Sequence, residues 1–131
     1  MHDPILYIDT SEVREGKLPE LKSAIEDLIL FVNDNVPRII FYSVYLSNDN
    51  NNMSVVQMHP DAASLEQQMQ DGMPVFAKFK DLLQLKSIDL YGKPTENLLT
   101  QLKQKATVLG DAMLTIHDLH AGINKFKLNH D

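Results

Sequence analysis

Residues 38–46 read RIIFYSVYL, and the architecture of the chain follows from the pattern of this segment. It is rich in β-branched and aromatic residues, which predicts a strand. Successive side chains of a strand point to opposite faces, which separates two sets of residues: Ile39, Phe41, Ser43 and Tyr45, and Ile40, Tyr42, Val44 and Leu46. Both sets are mainly apolar, whereas a strand with one face in water alternates apolar and polar residues. We therefore expect both faces of this strand to be covered.

Two elements are predicted before this strand. Ile5–Ile8 is short, apolar and β-prone, and the polar residues 9–11 are expected to end it. A helix then begins after Gly16, with Pro19 in its first turn, where a missing N–H costs nothing, and ends before Pro37. Its apolar residues recur with helical spacing: Leu21, Ala24, Ile25, Leu28 and Val32.

A hairpin and a second helix are predicted after the strand. Residues 47–52 are all polar and form the expected hairpin loop, from which Met53–His59 returns as the partner strand. Asp61 can cap a helix whose apolar spacing continues to about residue 84. We expect Gly72 and Pro74 to interrupt and bend this helix.

The last third of the chain predicts three further elements. Ser87–Tyr91 alternates and predicts a fourth strand. Thr95 can cap a third helix that Gly110 ends, and Met113–Leu119 predicts a weaker fifth strand. The tail from Lys125 onward is expected to fray.

The order of the first six elements predicts the fold class. Strand, helix, strand, strand, helix, strand is the split βαβ, or ferredoxin-like, α+β arrangement, with an antiparallel sheet and two helices on one face. We expect one domain over residues 1–131, with a core at 4–94 and a C-terminal helix and strand extension at 95–126. Two helices cover only one face of the sheet. Either the C-terminal elements cover the other face, or a second copy of the sheet does, and we expect the homodimer.

Composition excludes several classes of function. The formal net charge is −6, only two of the twelve basic residues are arginines, and there is no Cys and no Trp. A negative chain is a poor partner for nucleic acids and anionic membranes, so we expect neither. Without Cys there are no disulfides, no thiolate nucleophiles and no Cys-ligated metal or iron–sulfur sites.

The sequence also predicts neither a membrane span nor a signal peptide. The longest apolar run, Ile39–Leu46, has about eight residues, against the roughly 20 that a spanning helix requires. The first four residues lack the basic and apolar regions of a signal peptide, so we expect a cytoplasmic protein.

Five segments of the chain resemble a known family: Ile5–Ile8, Glu15–Lys22, His59–Glu66, Phe76–Phe79 and Asp89–Pro94. Together they resemble the antibiotic-biosynthesis-monooxygenase-like (ABM) domain of the dimeric α+β barrel superfamily, over residues 4–94. The resemblance implies a homodimer whose two sheets form a barrel, with a ligand cavity between sheet and helices in each subunit. Some members oxidise polycyclic phenols or quinols with oxygen and no bound cofactor, others degrade haem, and others have no assigned activity. We accordingly expect no cofactor.

The chain departs from the patterns of active members. These often carry a His in the second helix, where this chain reads Leu65–Met69 and has Gln68, and another where it has Val75. The haem-degrading pattern uses Asn, Trp and His, whereas this chain has no Trp and offers Tyr7 and Asp9 on its first strand. Haem degradation is therefore not expected, and quinol oxidation stays open.

His59 is the candidate catalytic residue. It ends the third strand immediately before a helix N-terminus, where a neutral imidazole can act as a general base or hold a phenolic ligand. The alternative is a partly exposed turn histidine beside Pro60.

Methionine and aromatic side chains are the candidate pocket lining. Met fills irregular space and aromatic rings stack on flat ligands, which singles out these residues: Met58, Met69, Met73, Phe76 and Phe79, with hydroxyls from Tyr7, Tyr42 and Tyr45. The alternative is that they form ordinary core.

His117 and His120 raise the question of a metal site. On a helix their spacing would place them on one face, where they could bind zinc. On the strand predicted here they point to opposite faces, and no third ligand is evident at a suitable spacing, so we expect no metal.

Two functions remain open from the sequence. The first is a cofactor-free monooxygenase-like protein acting on an aromatic or quinol-type molecule. The second is a non-catalytic ligand-binding or interaction protein of the same fold, which Gln68 and Val75 favour.

Overall fold

A computed structural model describes residues 3–125 of the chain. The elements in order are β1 (Ile5–Val13), α1 (Leu18–Asn35), β2 (Phe41–Leu46), β3 (Asn52–His59), α2 (Ala62–Ala77), a 3-10 turn (Lys78–Asp81), β4 (Leu83–Tyr91), α3 (Glu96–Leu109) and β5 (Met113–His117). The strands form one sheet in the order β2-β3-β1-β4-β5. The first four are antiparallel to their neighbours, and β5 is parallel to β4. This confirms the ferredoxin-like α+β fold with a C-terminal helix and strand added at one edge.

The predicted helix boundaries are confirmed at three caps. Asp61 accepts a hydrogen bond from the backbone N–H of Ser64 at 3.0 Å, and Thr95 accepts one from Leu98 at 3.1 Å. Each bond satisfies an N–H that has no partner inside its helix. At the end of α3, Gly110 has φ of 146°, a conformation that a residue with a Cβ rarely adopts.

Two strands are longer than predicted. β1 continues through the polar residues 9–11 to Val13, because as a central strand it has hydrogen-bonding partners on both sides, β3 and β4. β4 begins at Leu83 rather than Ser87, pairing with the far end of β1. In both places backbone pairing outweighs the weak strand preference of the side chains.

The predicted interruption of the second helix is wrong. α2 runs through Gly72 and Pro74 to Ala77 and then tightens into the 3-10 turn, so the helix also ends before residue 84. Gly72 gives room for a ring rather than a break, since a Cβ there would lie 2.8 Å from Cζ of Phe76. Packing of Leu65, Met69 and Phe76 into the core holds the helix together across both residues.

The segment before β2 forms a turn instead of the start of the strand. Arg38 makes a paired contact with Asp61, with its two terminal nitrogens 2.8 and 2.9 Å from the carboxylate oxygens. This contact draws residues 38–40 towards the start of α2, and β2 begins at Phe41.

The helices lie on one face of the sheet and leave the other open. α3 packs on α2 and β4, and its Lys105 reaches β1 residues on the helix face, while β5 extends the sheet sideways. The C-terminal elements as far as residue 125 therefore do not cover the second face. Strand alternation places four exposed apolar side chains on it: Phe41, Tyr45, Tyr91 and Met113, which are 38–72% exposed. We call these four residues the open-face patch.

No helix within residues 3–125 combines the length and the apolar character needed to cross a bilayer. Most of the tail expected to fray, residues 126–131, lies outside the described residues.

Candidate functional site

A lysine lies buried between the sheet and the helices. Lys105 on α3 is only 5% exposed, and its Nζ donates hydrogen bonds to Tyr7 Oη at 2.7 Å and to Asp9 Oδ2 at 3.3 Å. Tyr7 in turn donates to Asp9 Oδ2 at 2.6 Å. Tyr7 and Asp9 are neighbours on the helix face of β1 and are also buried. We call these three residues the Lys105 triad.

The surroundings of the triad shift the pKa values of Lys105 and Tyr7. Lys105 Nζ lies 4.2 Å from the centre of the Phe76 ring and 4.9 Å from that of Tyr7, within the range of cation–π attraction. Burial lowers the pKa of Lys105, and the adjacent Asp9 carboxylate opposes that change. Burial, together with the charge of Asp9, raises the pKa of Tyr7 well above its usual value. Tyr7 is therefore a protonated phenol that donates to the carboxylate.

The triad borders a small cavity. Its volume is about 30 Å³, and its polar lining includes Asp9, Tyr42 and Lys105, with Phe76 among the apolar residues. A space of this size holds about one water molecule. The chain's own side chains thus fill most of the interior in which a ligand was expected.

His59 is buried rather than exposed in a turn. Its Nδ1 lies 2.7 Å from Ser64 Oγ, and its Nε2 lies 2.7 Å from Gln57 Oε1. Because an amide oxygen only accepts, Nε2 carries the proton and Nδ1 accepts from the Ser64 hydroxyl. Burial lowers the pKa of His59 to about 4, so the imidazole is neutral.

The alternative, a partly exposed turn histidine, is therefore wrong for His59. As a general base, His59 would need a free ring nitrogen, and neither nitrogen is free. His59 does not line the cavity, and both ring nitrogens already have partners. What it does in this geometry is orient Gln57, which lies between Tyr7 on β1 and Tyr42 on β2 in the sheet register.

Two buried amides beside His59 have polar atoms without a hydrogen-bond partner among the described residues. These atoms are Nε2 of Gln57 and both amide atoms of Gln68, and both side chains are fully buried. Gln68 occupies the helix position where the resemblance implies a His in active members. A polar group thus remains at this position, although it cannot titrate.

The other predicted pocket residues divide between the two faces. Met69 and Phe76 are in the core and Met73 packs partly buried against it. Tyr42 lines the cavity, whereas Tyr45, three residues further along the same strand, is on the open face. Met58 is also on the open face, because it alternates with the buried Gln57 and His59. Tyr45 and Met58 are therefore not brought to the interior.

The two C-terminal histidines have different surroundings. His117 ends β5, where its Nε2 is 2.8 Å from Asp89 Oδ1 and its ring stacks on Tyr91 at 4.3 Å. His120 lies beyond the strand and is exposed. Within residues 3–125, no group of three or more His, Asp or Glu side chains is placed to hold a metal ion.

Sequence reasoning missed Lys105, Gln57 and Ser64. Two signals were available. Lys105 stands in the apolar stripe of α3, three residues after Leu102 and four before Leu109, a position where a solvent-facing lysine is not expected. Gln57 has the same strand parity as the apolar residues of β3 that face the helices.

Comparison with known proteins identifies the fold. No family model and no curated protein matches this chain. Among solved structures, SnoaB, a cofactor-independent oxygenase from Streptomyces nogalater, superposes with a TM-score of 0.60 at 14% identity, over 71% of this chain and 95% of that chain. A candidate antibiotic biosynthesis monooxygenase from Bacteroides thetaiotaomicron superposes with a TM-score of 0.51 at 14% identity, over 63% of this chain and 85% of that one. This chain has the ABM-like fold.

A third solved structure matches a longer part of the chain. MupZ from Pseudomonas fluorescens superposes with a TM-score of 0.72 at 12% identity, over 93% of this chain and 94% of that chain. The match to SnoaB covers a share of the chain about as long as the βαββαβ core. The match to MupZ covers 93% of the chain, so it must include most of α3 and β5. The helix that carries Lys105 therefore has a structural counterpart in a known protein.

Proposed function

We propose that this chain is a small homodimeric, monooxygenase-like protein that binds an aromatic or quinol-type molecule between its sheet and its helices. The observation that carries the proposal is the buried Lys105 triad at the wall of the interior cavity. A buried ion pair rarely contributes net stability, because the desolvation of both charges offsets their attraction. A buried lysine with a perturbed pKa beside a cavity is instead typical of functional sites.

The triad offers two groups to a ligand that carries a hydroxyl. Lys105 can hold an ionised ligand oxygen, since an ammonium stabilises a phenolate far better in a dry site than in water. Asp9 can accept the ligand's proton: its two hydrogen bonds from the described residues both reach Oδ2, which leaves Oδ1 available. The pair therefore favours a bound phenolate over a bound phenol.

A bound phenolate can be oxidised by O2 without a cofactor. The anion is electron-rich and gives electrons to oxygen, and overall a phenol and O2 yield a quinone and water. Such chemistry asks the protein to bind, deprotonate and orient the substrate, which are tasks within reach of the triad. The fold of SnoaB, a cofactor-independent oxygenase, supports this proposal.

The homodimer is part of the same proposal. The open-face patch is apolar, and its four side chains remain 38–72% exposed beside the described C-terminal elements. A second sheet packed face to face at about 10 Å would cover it. An isologous dimer of this kind uses the same patch from both chains.

Oxygen consumption with a panel of quinols and naphthols tests the proposal. We expect uptake with the wild-type protein, at least a tenfold loss in Lys105→Met, and wild-type rates in Lys103→Met. Lys103 is the matched control because it is exposed on the same helix. Absence of uptake with every substrate, or equal rates in Lys105→Met, would refute oxidation.

A non-catalytic role is the second candidate, and the cavity volume favours it. About 30 Å³ is too small for an aromatic ring unless side chains move. Ligand binding without oxygen uptake would favour this candidate.

A further inference from the structure

A second concavity lies beside the interior cavity. It is a cleft of about 270 Å³ between α1 and the segment that leads into β2, lined by Ile29, Val32, Asn33, Ile39, Ile40, Phe41 and Tyr42. We call it the α1–β2 cleft. Tyr42 lines both the cleft and the interior cavity. Tyr42 thus forms part of the wall of the apolar α1–β2 cleft and part of the wall of the interior cavity that Lys105 lines.

Tyr42 lies on an edge strand, at the border between the two spaces. β2 is an edge strand, and within residues 3–125 its one neighbour in the sheet is β3. The ring of Tyr42 lies on the helix face, only partly buried against the core. Its pKa is raised well above the usual value, by burial and then by the charge of Asp9, so its hydroxyl stays protonated. The backbone of β2 makes the pairing with β3, so a rotation of the Tyr42 side chain leaves that pairing in place.

We infer that the α1–β2 cleft is the subsite for the apolar body of the ligand, and that Tyr42 controls passage from this cleft to Lys105. This inference rests on the proposed function. The inner cavity and the cleft together reach about 300 Å³, the lower end of the range for small-molecule sites. Neither the cavity nor the cleft alone reaches the volume of a small-molecule site. Movement of Tyr42 joins them into one site with an apolar outer part and a charged inner end.

The two ends of the joined site define the class of ligand. The cleft offers isoleucine and valine side chains with one amide, Asn33, and the inner end offers the Lys105 ammonium. This fits a flat apolar molecule with a single ionisable hydroxyl at one end. The combined volume suits one or two rings, so we expect naphthol-sized ligands and not larger polycyclic ones.

Binding of 1-naphthol tests the inference. The fluorescence of naphthol reports the binding, in a titration for the affinity and in rapid mixing for the association rate. No Trp emission overlaps it, because the chain has no Trp. Ile29→Trp fills the cleft and is expected to weaken binding at least tenfold. Leu30→Trp is the control, since Leu30 is exposed on the same helix and outside the cleft, and it should stay within twofold of wild type. Tyr42→Ala opens the passage and is expected to raise the association rate at least tenfold.

The outcomes separate this inference from the proposed function. Binding that depends on Lys105 but is unchanged in both Ile29→Trp and Tyr42→Ala overturns the cleft and the passage and leaves the function standing. Binding that Ile29→Trp and Tyr42→Ala alter, in a protein that consumes no oxygen with any substrate, supports the cleft and overturns the oxidation. Absence of 1-naphthol binding up to its solubility limit overturns this inference, and oxygen consumption with the whole panel decides the function.

Discussion

The Nζ of Lys105 on α3 lies 2.7 Å from the hydroxyl of Tyr7 on the central strand, although the two residues are 98 positions apart in the sequence. The contact joins the C-terminal extension to the interior of the ferredoxin-like core. Among the described residues, Lys105 of α3 is the cation that contacts Asp9. The extension is therefore part of the candidate site as well as an addition to the sheet.

The buried pair gives a direct prediction about stability. Lys105→Met should lower the free energy of unfolding by about 3–5 kcal/mol, because it leaves the Asp9 carboxylate buried without a counter-charge. Asp9→Asn combined with Lys105→Met should recover part of that loss, because no buried charge remains. Urea unfolding measures both. A Lys105→Met protein as stable as Lys103→Met would contradict the pairing.

The buried imidazole predicts a loss of stability in mild acid. Folding lowers the pKa of His59 from its ordinary 6.5 to about 4, so between these values the unfolded chain binds a proton that the folded chain does not. Stability from this residue is present above pH 6.5 and is lost as the pH falls towards 4, by an amount on the order of 3 kcal/mol.

Urea unfolding between pH 4 and 7 measures this dependence. His59→Gln should flatten the slope in this window, whatever its effect on absolute stability, and His120→Gln should retain it because His120 is exposed. An unchanged slope in His59→Gln would show that another group titrates.

The surroundings of Gly16 and Gly110 predict different losses of stability when each is replaced by alanine. Both Gly16 and Gly110 have positive φ, at 76° and 146°. A Cβ at Gly16 meets nothing within 4 Å, whereas one at Gly110 would lie 2.8 Å from the Leu85 carbonyl oxygen. Gly16→Ala should cost about 1–2 kcal/mol from backbone strain alone, and Gly110→Ala more. Thermal unfolding compares them, and equal losses would contradict the close packing of α3 against β4.

The open-face patch predicts a dimer that one charge can dissociate. Light scattering should give twice the chain mass of 14.9 kDa for the wild type. Tyr45→Glu should give the monomer mass, because it places a carboxylate among the apolar side chains of the contact. Leu30→Glu, on an exposed helix position away from the sheet, should remain dimeric. A monomeric wild type would refute the dimer.

Most of the fold could be predicted from the sequence, because the patterns that indicate it lie within short segments of the chain. The spacing of α1, the caps at Asp61 and Thr95 and the order of elements all depend on neighbouring residues, and all agree with the structure. The errors arose where tertiary contacts decide. The polar residues of β1 stay in the strand because two neighbouring strands pair with it, and α2 continues through Pro74 because its apolar face is packed.

The candidate site was only partly readable, for the same reason. Tyr7, Tyr42 and Phe76 could be placed in the interior by type and spacing. That Tyr7 and Asp9 meet Lys105 could not, because no local pattern links β1 to α3. Tyr45 and Met58 were misplaced by residue type, although strand parity already separates them from Tyr42 and Gln57.

The ionisation of bound 1-naphthol tests the central claim, that Lys105 holds the ionised hydroxyl of the ligand. Naphthol and naphtholate absorb at different wavelengths, so a pH titration in the presence of excess protein measures the pKa of the bound molecule. We expect a pKa below that of free naphthol in the wild type and in Lys103→Met, and no such lowering in Lys105→Met. An identical titration in Lys105→Met and wild type would contradict it.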